Sequence, residues 1–178
     1  SDFVYGIITE RVLNKIYQLA KRHGLCLFGD LQCSSQVGSI TKFKNFSLLC
    51  PNEREARIAM QDKDSGLELL CNQLIKITKT QRLIMKLGAN GFIAYDRNEQ
   101  GNLISQSFPA LSVNPVDVAG AGDSLLALMS TGLAKKQPMM LTAALGCFIT
   151  SLAVETMGNV PISHTALKYA VEILFKNK

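Results

Sequence analysis

The stretch on which the reading turns is Asp117-Val118-Ala119-Gly120-Ala121-Gly122-Asp123-Ser124-Leu125. It follows an extended segment and precedes apolar residues at helical spacing, so it opens a helix. Gly120 and Gly122 carry no side chains, which lets a ligand approach the backbone. The first N–H groups of a helix have no partner within it, and the aligned peptide dipoles favour negative charge there. A phosphate suits such a place. Asp123 then stands beside the anion, and its carboxylate can accept a proton from an attacking hydroxyl. Anion-holding amides next to a base are what phosphoryl transfer needs. The tetrapeptide Gly120–Asp123 alone is equally a capped turn with no ligand. It is not a dinucleotide fingerprint, because Leu125 occupies the third glycine position, and no Gly-Lys-Ser/Thr of a P-loop occurs anywhere.

Downstream of this stretch the periodicity predicts three helices, over 122–134, 139–155 and 163–175. Leu141, Ala144, Leu145, Phe148, Ile149 and Leu152 share one face of the second. Leu167, Ala170, Val171 and Leu174 share one face of the third. Upstream, 8–23 reads as a helix with Val12, Ile16, Leu19 and Ala20 inward and Gly24 as its stop. Apolar runs at 25–28 and 46–50 read as short buried strands. Pro51 to Met60 opens a helix, with Asn52 as cap and Glu53 and Glu55 at its positive end. A further helix covers 67–77, and strands cover 82–87, 92–95 and 103–108. Asn90-Gly91 predicts a tight turn in which both residues take positive φ. The order is helices alternating with strands, then strands joined by tight turns, then helices. That is a layered α/β architecture, with a mainly parallel sheet and antiparallel edge strands. No repeat or linker divides the chain, so 1–178 reads as a single α/β domain. In such sheets ligands sit beyond the carboxyl ends of the strands.

Composition narrows the function. The 178 residues suffice for one sizeable core, and no apolar run is long enough to cross a membrane. The first residues show no basic region followed by an apolar stretch, so no signal peptide is expected, and the expected location is cytoplasmic. The net charge of +5 suits an anionic ligand such as ATP. The basic residues are dispersed without interleaved aromatics, which argues against nucleic acid. Cys26, Cys33, Cys50, Cys71 and Cys147 are odd in number and widely spaced, and read as buried, reduced thiols. His23 and His164 lack metal-ligand spacing.

Three segments, in order, resemble those of the ribokinase-like (PfkB) carbohydrate kinases. Asp117 to Asp123 is similar to their Asp-Thr-x-Gly-Ala-Gly-Asp signature, with Val118 in place of Thr. Pro51-Asn52-Glu53-Arg54-Glu55-Ala56 resembles Pro-Asn-x-x-Glu-Ala. Lys86-Leu87-Gly88-Ala89-Asn90-Gly91 resembles Thr/Lys-x-Gly-x-x-Gly. Ala153 to Gly158 resembles the helix-to-loop element that closes over the nucleotide base. The resemblance implies the ribokinase-like α/β/α fold and ATP-dependent phosphorylation of a sugar or sugar-phosphate hydroxyl. It implies that Asp123 is the base and that the N–H groups of Gly120, Ala121, Gly122 and Asp123 form the anion hole. Asn52 and Glu55 would organise Mg²⁺ through water, although a helix cap with a first-turn acid explains them too. Lys86, Gly88 and Gly91 would lie near the nucleotide phosphates, although Lys86 also reads as a solvated strand-end charge. Asp117 and Ala119 match positions that hold a monovalent cation such as K⁺ in some relatives.

Family members are longer, so the chain reads as the C-terminal portion of such a kinase, with the sugar-binding N-terminal half and its β lid absent. That missing half is the expected partner, and a homodimer is allowed. Asp2 and Tyr5-Gly6 resemble a Ser-Asp-Tyr-x-x-Gly stretch of the bacterial heptose-phosphate kinase (ADP-heptose synthase) branch, and residues 30–36 follow the next strand. Either could face a sugar phosphate, though plain loop roles fit each residue as well. Two rival functions remain open: a nucleotide-binding piece without turnover, and a kinase for a nucleoside or other non-sugar alcohol.

Overall fold

Strands that run in parallel need a long connection to bring the chain back to the same end. The first three strands have it. β1 (Phe28–Gly29), β2 (Leu48–Leu49) and β3 (Leu83–Lys86) pair in parallel, with Phe28 opposite Leu48, Gly29 opposite Leu49 and Leu49 opposite Leu83. β4 (Phe92–Arg97) and β5 (Leu103–Phe108) complete a five-stranded sheet in the order β1-β2-β3-β4-β5. Only residues 87–91 join β3 to β4, and only 98–102 join β4 to β5. Neighbouring strands linked so tightly run antiparallel. The sheet is therefore mixed, with antiparallel strands at one edge. The computed structural model describes residues 1–32, 38–112 and 114–176, without the side chains of Leu174 and Phe175. Cys33 and most of the 30–36 stretch lie outside the described residues.

The chain divides into two compact units. One comprises Ser1–Leu87 with Tyr95–Ser105, the other Gly88–Ala94 with Gln106–Lys178. In the first, Leu48, Leu49, Leu83, Ile84 and Met85 of the parallel strands are fully buried. α3 (Leu67–Thr78) covers them with Leu70 and Leu74, also fully buried. α1 (Glu10–His23) is capped by the Thr9 hydroxyl, which accepts from Val12 N–H, and ends at Gly24 in the left-handed conformation. Its inward face differs from expectation. Leu13 is buried, whereas Val12 and Leu19 are 38% and 39% exposed. The face is turned by Tyr17, whose ring meets Phe46 edge-on and whose hydroxyl donates to Lys42 O and accepts from Lys44 N–H. The strand expected over 25–28 begins only at Phe28, because Leu25 and Cys26 are exposed.

In the second unit α4 (Ala121–Ala134) packs against α5 (Met139–Val154), and α5 against α6 (His164–Lys176). Leu125 and Met129 of α4 and Ala143 of α5 form its core. The α5 face differs in part from expectation, since Leu141 is 55% exposed while Thr142, Ala143, Gly146 and Cys147 turn inward. Phe92 stacks on Phe108 with ring centroids 5.3 Å apart. The turn before Phe92 also departs from expectation. Gly88–Asn90 forms a 3-10 turn closed by Gly91 N–H donating to Gly88 O at 3.0 Å. Positive φ falls on Gly88 (59°) and Gly91 (83°), not on Asn90.

A β-carbon at Gly91 would stand 2.1 Å from the carbonyl oxygen of Phe108, a contact with backbone that cannot rotate away. Gly91→Ala combines this clash with a left-handed φ. It is expected to destabilise the protein by about 2 kcal/mol or more, above the ~1 kcal/mol for an unfavourable φ alone. Urea unfolding of the variant measures this, and a loss below that baseline contradicts the described turn.

Candidate active site

The carboxyl ends of β1, β2 and β3 lie side by side at one end of the parallel strands, and each is followed or closed by a polar residue. Asp30 follows β1, Pro51-Asn52 follows β2, and Lys86 ends β3. Asn52 and Lys86 form an isolated parallel bridge, and Lys86 N–H donates to Pro51 O at 2.9 Å. The side chain of Lys86 turns to Asp30 and donates to both its carboxylate oxygens, at 2.9 and 2.7 Å. Asp30 is fully buried, and its Oδ1 also accepts from Leu31 N–H at 2.9 Å. Burial alone would push the Lys86 ammonium down. The charge and hydrogen bonds of Asp30 more than reverse this, so its pKa lies above that of an ordinary lysine. Lys86 is thus not the solvated strand-end charge that the sequence allowed. Asp30 does not present a solvent-facing carboxylate.

Beside this pair, α2 (Glu53–Met60) begins with a reciprocal capping box. Asn52 Oδ1 accepts from Glu55 N–H, and Glu55 Oε2 accepts from Asn52 N–H, both at 2.8 Å. Glu55 is 4% exposed. The thiol of Cys50, at the end of β2, is pushed far up by burial, with Asp30 adding to the effect and Lys86 opposing it. Burial likewise raises Cys71 and Cys147 to about 11, so these three thiols stay protonated and are no nucleophiles at neutral pH. Cys26 is exposed, contrary to the expectation that the thiols are buried. Asp2 is buried and pairs with Lys42, while Tyr5 is 63% exposed.

In the second unit the signature stretch forms a tied loop ahead of α4. Val116 and Asp117 N–H both donate to Val154 O, at 2.7 and 3.1 Å. Asp117 then grips both flanks with its carboxylate. Oδ1 accepts from Ala119 N–H at 2.9 Å and Oδ2 from Gly158 N–H at 3.0 Å. These bonds, that of Ala119 first, hold the Asp117 carboxyl below the usual carboxylate range. Gly120 caps α4 at φ 76°, and a β-carbon there would stand 2.0 Å from Asn159 Oδ1. The first intrahelical bond is Ser124 N–H to Gly120 O at 2.9 Å. The N–H groups of Ala121, Gly122 and Asp123 therefore lie outside the helical ladder. Ala121 N–H makes a long turn bond to Val118 O at 3.4 Å. Asp123 is half-buried in the first turn. Gly88 is exposed, and Gly91 packs on the strand end at Phe108.

The structure thus gathers Asn52, Glu55 and Lys86 in one unit, and Asp117, Ala119 and Gly120 to Asp123 in the other. The partner of Lys86 was not legible as such. An acid closing one short strand and a lysine closing another, with parallel pairing between, is the signal that could have found it. Among the described residues no cluster of three or more His, Cys, Asp or Glu side chains could chelate a metal, and no helix is long and apolar enough to cross a membrane. Asn52 and Glu55 spend polar atoms on the capping box, which fits a water-mediated hold on Mg²⁺ rather than direct chelation. The Asp117 carboxylate keeps lone pairs beyond its two N–H bonds, so it retains capacity for a cation.

Asp117 offers a test of this loop. A lowered carboxyl pKa adds stability that is present above the ordinary value of about 4 and is lost as pH falls through the lowered value. The Gly158 amide should be protected from hydrogen exchange at neutral pH, lose protection on that acidification, and lose it at every pH in Asp117→Ala. Unchanged Gly158 protection in the variant contradicts the tie.

Comparison with known proteins agrees with this geometry. The family model described as pfkB family carbohydrate kinase matches residues 3–166. The bifunctional protein HldE of Syntrophotalea carbinolica is 26% identical over 97% of the chain, and that of Campylobacter jejuni is 26% identical over all of it. The chain spans only 36% and 37% of these two proteins. Among solved structures, phosphofructokinase-2 from Escherichia coli with substrates and products superposes with a TM-score of 0.75 at 19% identity, covering 94% of this chain and 53% of that one. Ribokinase from Thermotoga maritima gives 0.70 at 20% identity, covering 87% and 52%. The fold is ribokinase-like, and the chain belongs to the pfkB family of carbohydrate kinases.

Proposed function

We propose that the protein to which this chain belongs transfers the terminal phosphoryl group of ATP to a hydroxyl of a sugar or sugar phosphate in the cytoplasm. In this reading residues 1–178 act as one α/β catalytic domain, the nucleotide-binding portion of a longer kinase. The observation that carries it is the start of α4: a left-handed glycine, N–H groups outside the helical ladder, and a carboxylate in the first turn. The N–H groups of Gly120, Ala121, Gly122 and Asp123 hold the transferring phosphoryl oxygens, and the long Ala121 bond to Val118 is weak enough to be exchanged. Asp123 accepts the proton of the attacking hydroxyl as its oxygen bonds to phosphorus and the bond to the ADP oxygen breaks. Asn52 and Glu55 orient the waters of Mg²⁺, which supplies charge neutralisation at the phosphates when bound. Lys86, Gly88 and Gly91 face the nucleotide. Asp117 and the carbonyl of Ala119 hold a monovalent cation. Potassium is bound in one solved structure of phosphofructokinase-2, a protein of the same fold.

The N-terminal resemblance to the heptose-phosphate kinase branch favours a sugar phosphate acceptor. A second reading also has support. The chain spans about half of the solved kinases it matches, which favours a nucleotide-binding piece without turnover. Assaying this chain alone and within the full-length protein against a panel of sugars separates the two.

Asp123→Asn in the full-length protein tests the assignment. Removing the base should lower turnover by at least ~10²-fold, and by several powers of ten if nucleophile placement is lost as well, with ATP affinity retained. Turnover equal to that of the unchanged protein would rule out Asp123 as the base.

A further inference from the structure

Lys86 stands where the reading above expects a phosphate contact, yet its positive charge is already matched. Asp30 is fully buried between the end of β1 and Leu31, and both its oxygens accept from Lys86 Nζ. The Lys86 side chain is 17% exposed, so it meets solvent only at its margin. Its main chain is pinned as well, through the bond to Pro51 O. An ammonium has three donors. With two on Asp30, a third remains, on a nitrogen that can no longer wander on its four-carbon stem.

We propose that Asp30 is a positioning residue of the nucleotide site: it fixes the Lys86 ammonium so that one N–H is presented to a phosphate oxygen of the bound nucleotide. The inference rests on the proposed function, since it needs Lys86 to face the phosphates. It changes what Lys86 is for. A free lysine would attract the nucleotide by net charge. The Asp30–Lys86 pair is neutral overall, so its contribution is a placed hydrogen bond whose ordering cost is met during folding rather than on binding. The same pair ties the end of β1 to the end of β3, and the Lys86 bond to Pro51 ties both to the start of α2. Asp30 therefore acts through Lys86 and touches neither substrate nor reacting atoms.

The test is steady-state kinetics of the full-length protein with Asp30→Asn, Lys86→Gln and the double variant. Asp30→Asn and Lys86→Gln are each expected to raise KM for ATP roughly tenfold, as the loss of one well-placed charge-assisted hydrogen bond would, with a smaller change in kcat. The double variant should match Lys86→Gln, because Asp30 is proposed to act on the nucleotide through that nitrogen. A purely structural Asp30 would lower kcat through a smaller folded fraction and leave KM alone. An unchanged KM in either single variant overturns the proposal. If one single variant does not fold, the other single variant and the double variant, which leaves no unpaired buried charge, decide. Equal KM values support the proposal, and a further rise in the double variant overturns it. Absence of ATP turnover in the unchanged protein is a separate outcome, which overturns the proposed function itself and this inference with it.

Discussion

A carboxylate with no exposed surface cannot stay ionised without a partner, and in the first unit that constraint falls on Asp30. The partner is Lys86, and the meeting follows from topology. Parallel pairing of β1, β2 and β3 sends three carboxyl ends to the same end of the sheet, so residues 56 positions apart in the chain come within hydrogen-bond distance. Such a pair adds little net stability compared with well-packed apolar residues, yet removing one member alone costs about 3–5 kcal/mol. Once Asp30 is present, Lys86 is required. With Lys86 held, Pro51 is held through its carbonyl, and with Pro51 the capping box that starts α2. Main-chain pairing at the strand ends, rather than the buried charge, sets Asn52 and Glu55 beside this pair.

The second unit reaches a comparable result with backbone instead of ion pairs. Asp117 spends one carboxylate oxygen on the amide of nearby Ala119 and the other on that of Gly158, beyond α5, and Val154 accepts from two successive N–H groups. These bonds shape the chain just before Gly120, where Asn159 leaves no space for a β-carbon. The helix that follows starts with its first donors outside the ladder and with Asp123 in its first turn. Glycine at position 120 is a requirement of both conformation and space. This tie lies near the surface, so it is weaker and more responsive to pH than the buried pair of the first unit.

Much of this was legible in the sequence. All six helices appear where their apolar spacing and caps place them, and Asn52 caps α2 as its position before two acids suggests. The family signature was readable because it is local: each of its three segments is a few residues long. The misreadings came from tertiary contacts. Tyr17 turned the inward face of α1 by pairing its ring with Phe46 and its hydroxyl with the main chain at 42–44. Asn90-Gly91 read as a two-residue hairpin turn, but Gly88 takes one of the positive φ values and a 3-10 turn results. The solvated-charge alternative for Lys86 stays open in the sequence because its partner follows a strand of two residues that periodicity barely registers.

Phosphoryl transfer to an alcohol at the glycine-started helix that carries Asp123 is the proposal on which the rest of the functional reading depends. The most direct measurement follows the fate of ³²P-labelled γ-phosphate when the full-length protein is given labelled ATP, Mg²⁺ and a panel of sugars and sugar phosphates. Label is expected to move onto a carbon-linked oxygen of one acceptor, giving a phosphate ester that phosphorus NMR identifies. Label that stays on ATP, or appears only as free phosphate whatever acceptor is supplied, would contradict it.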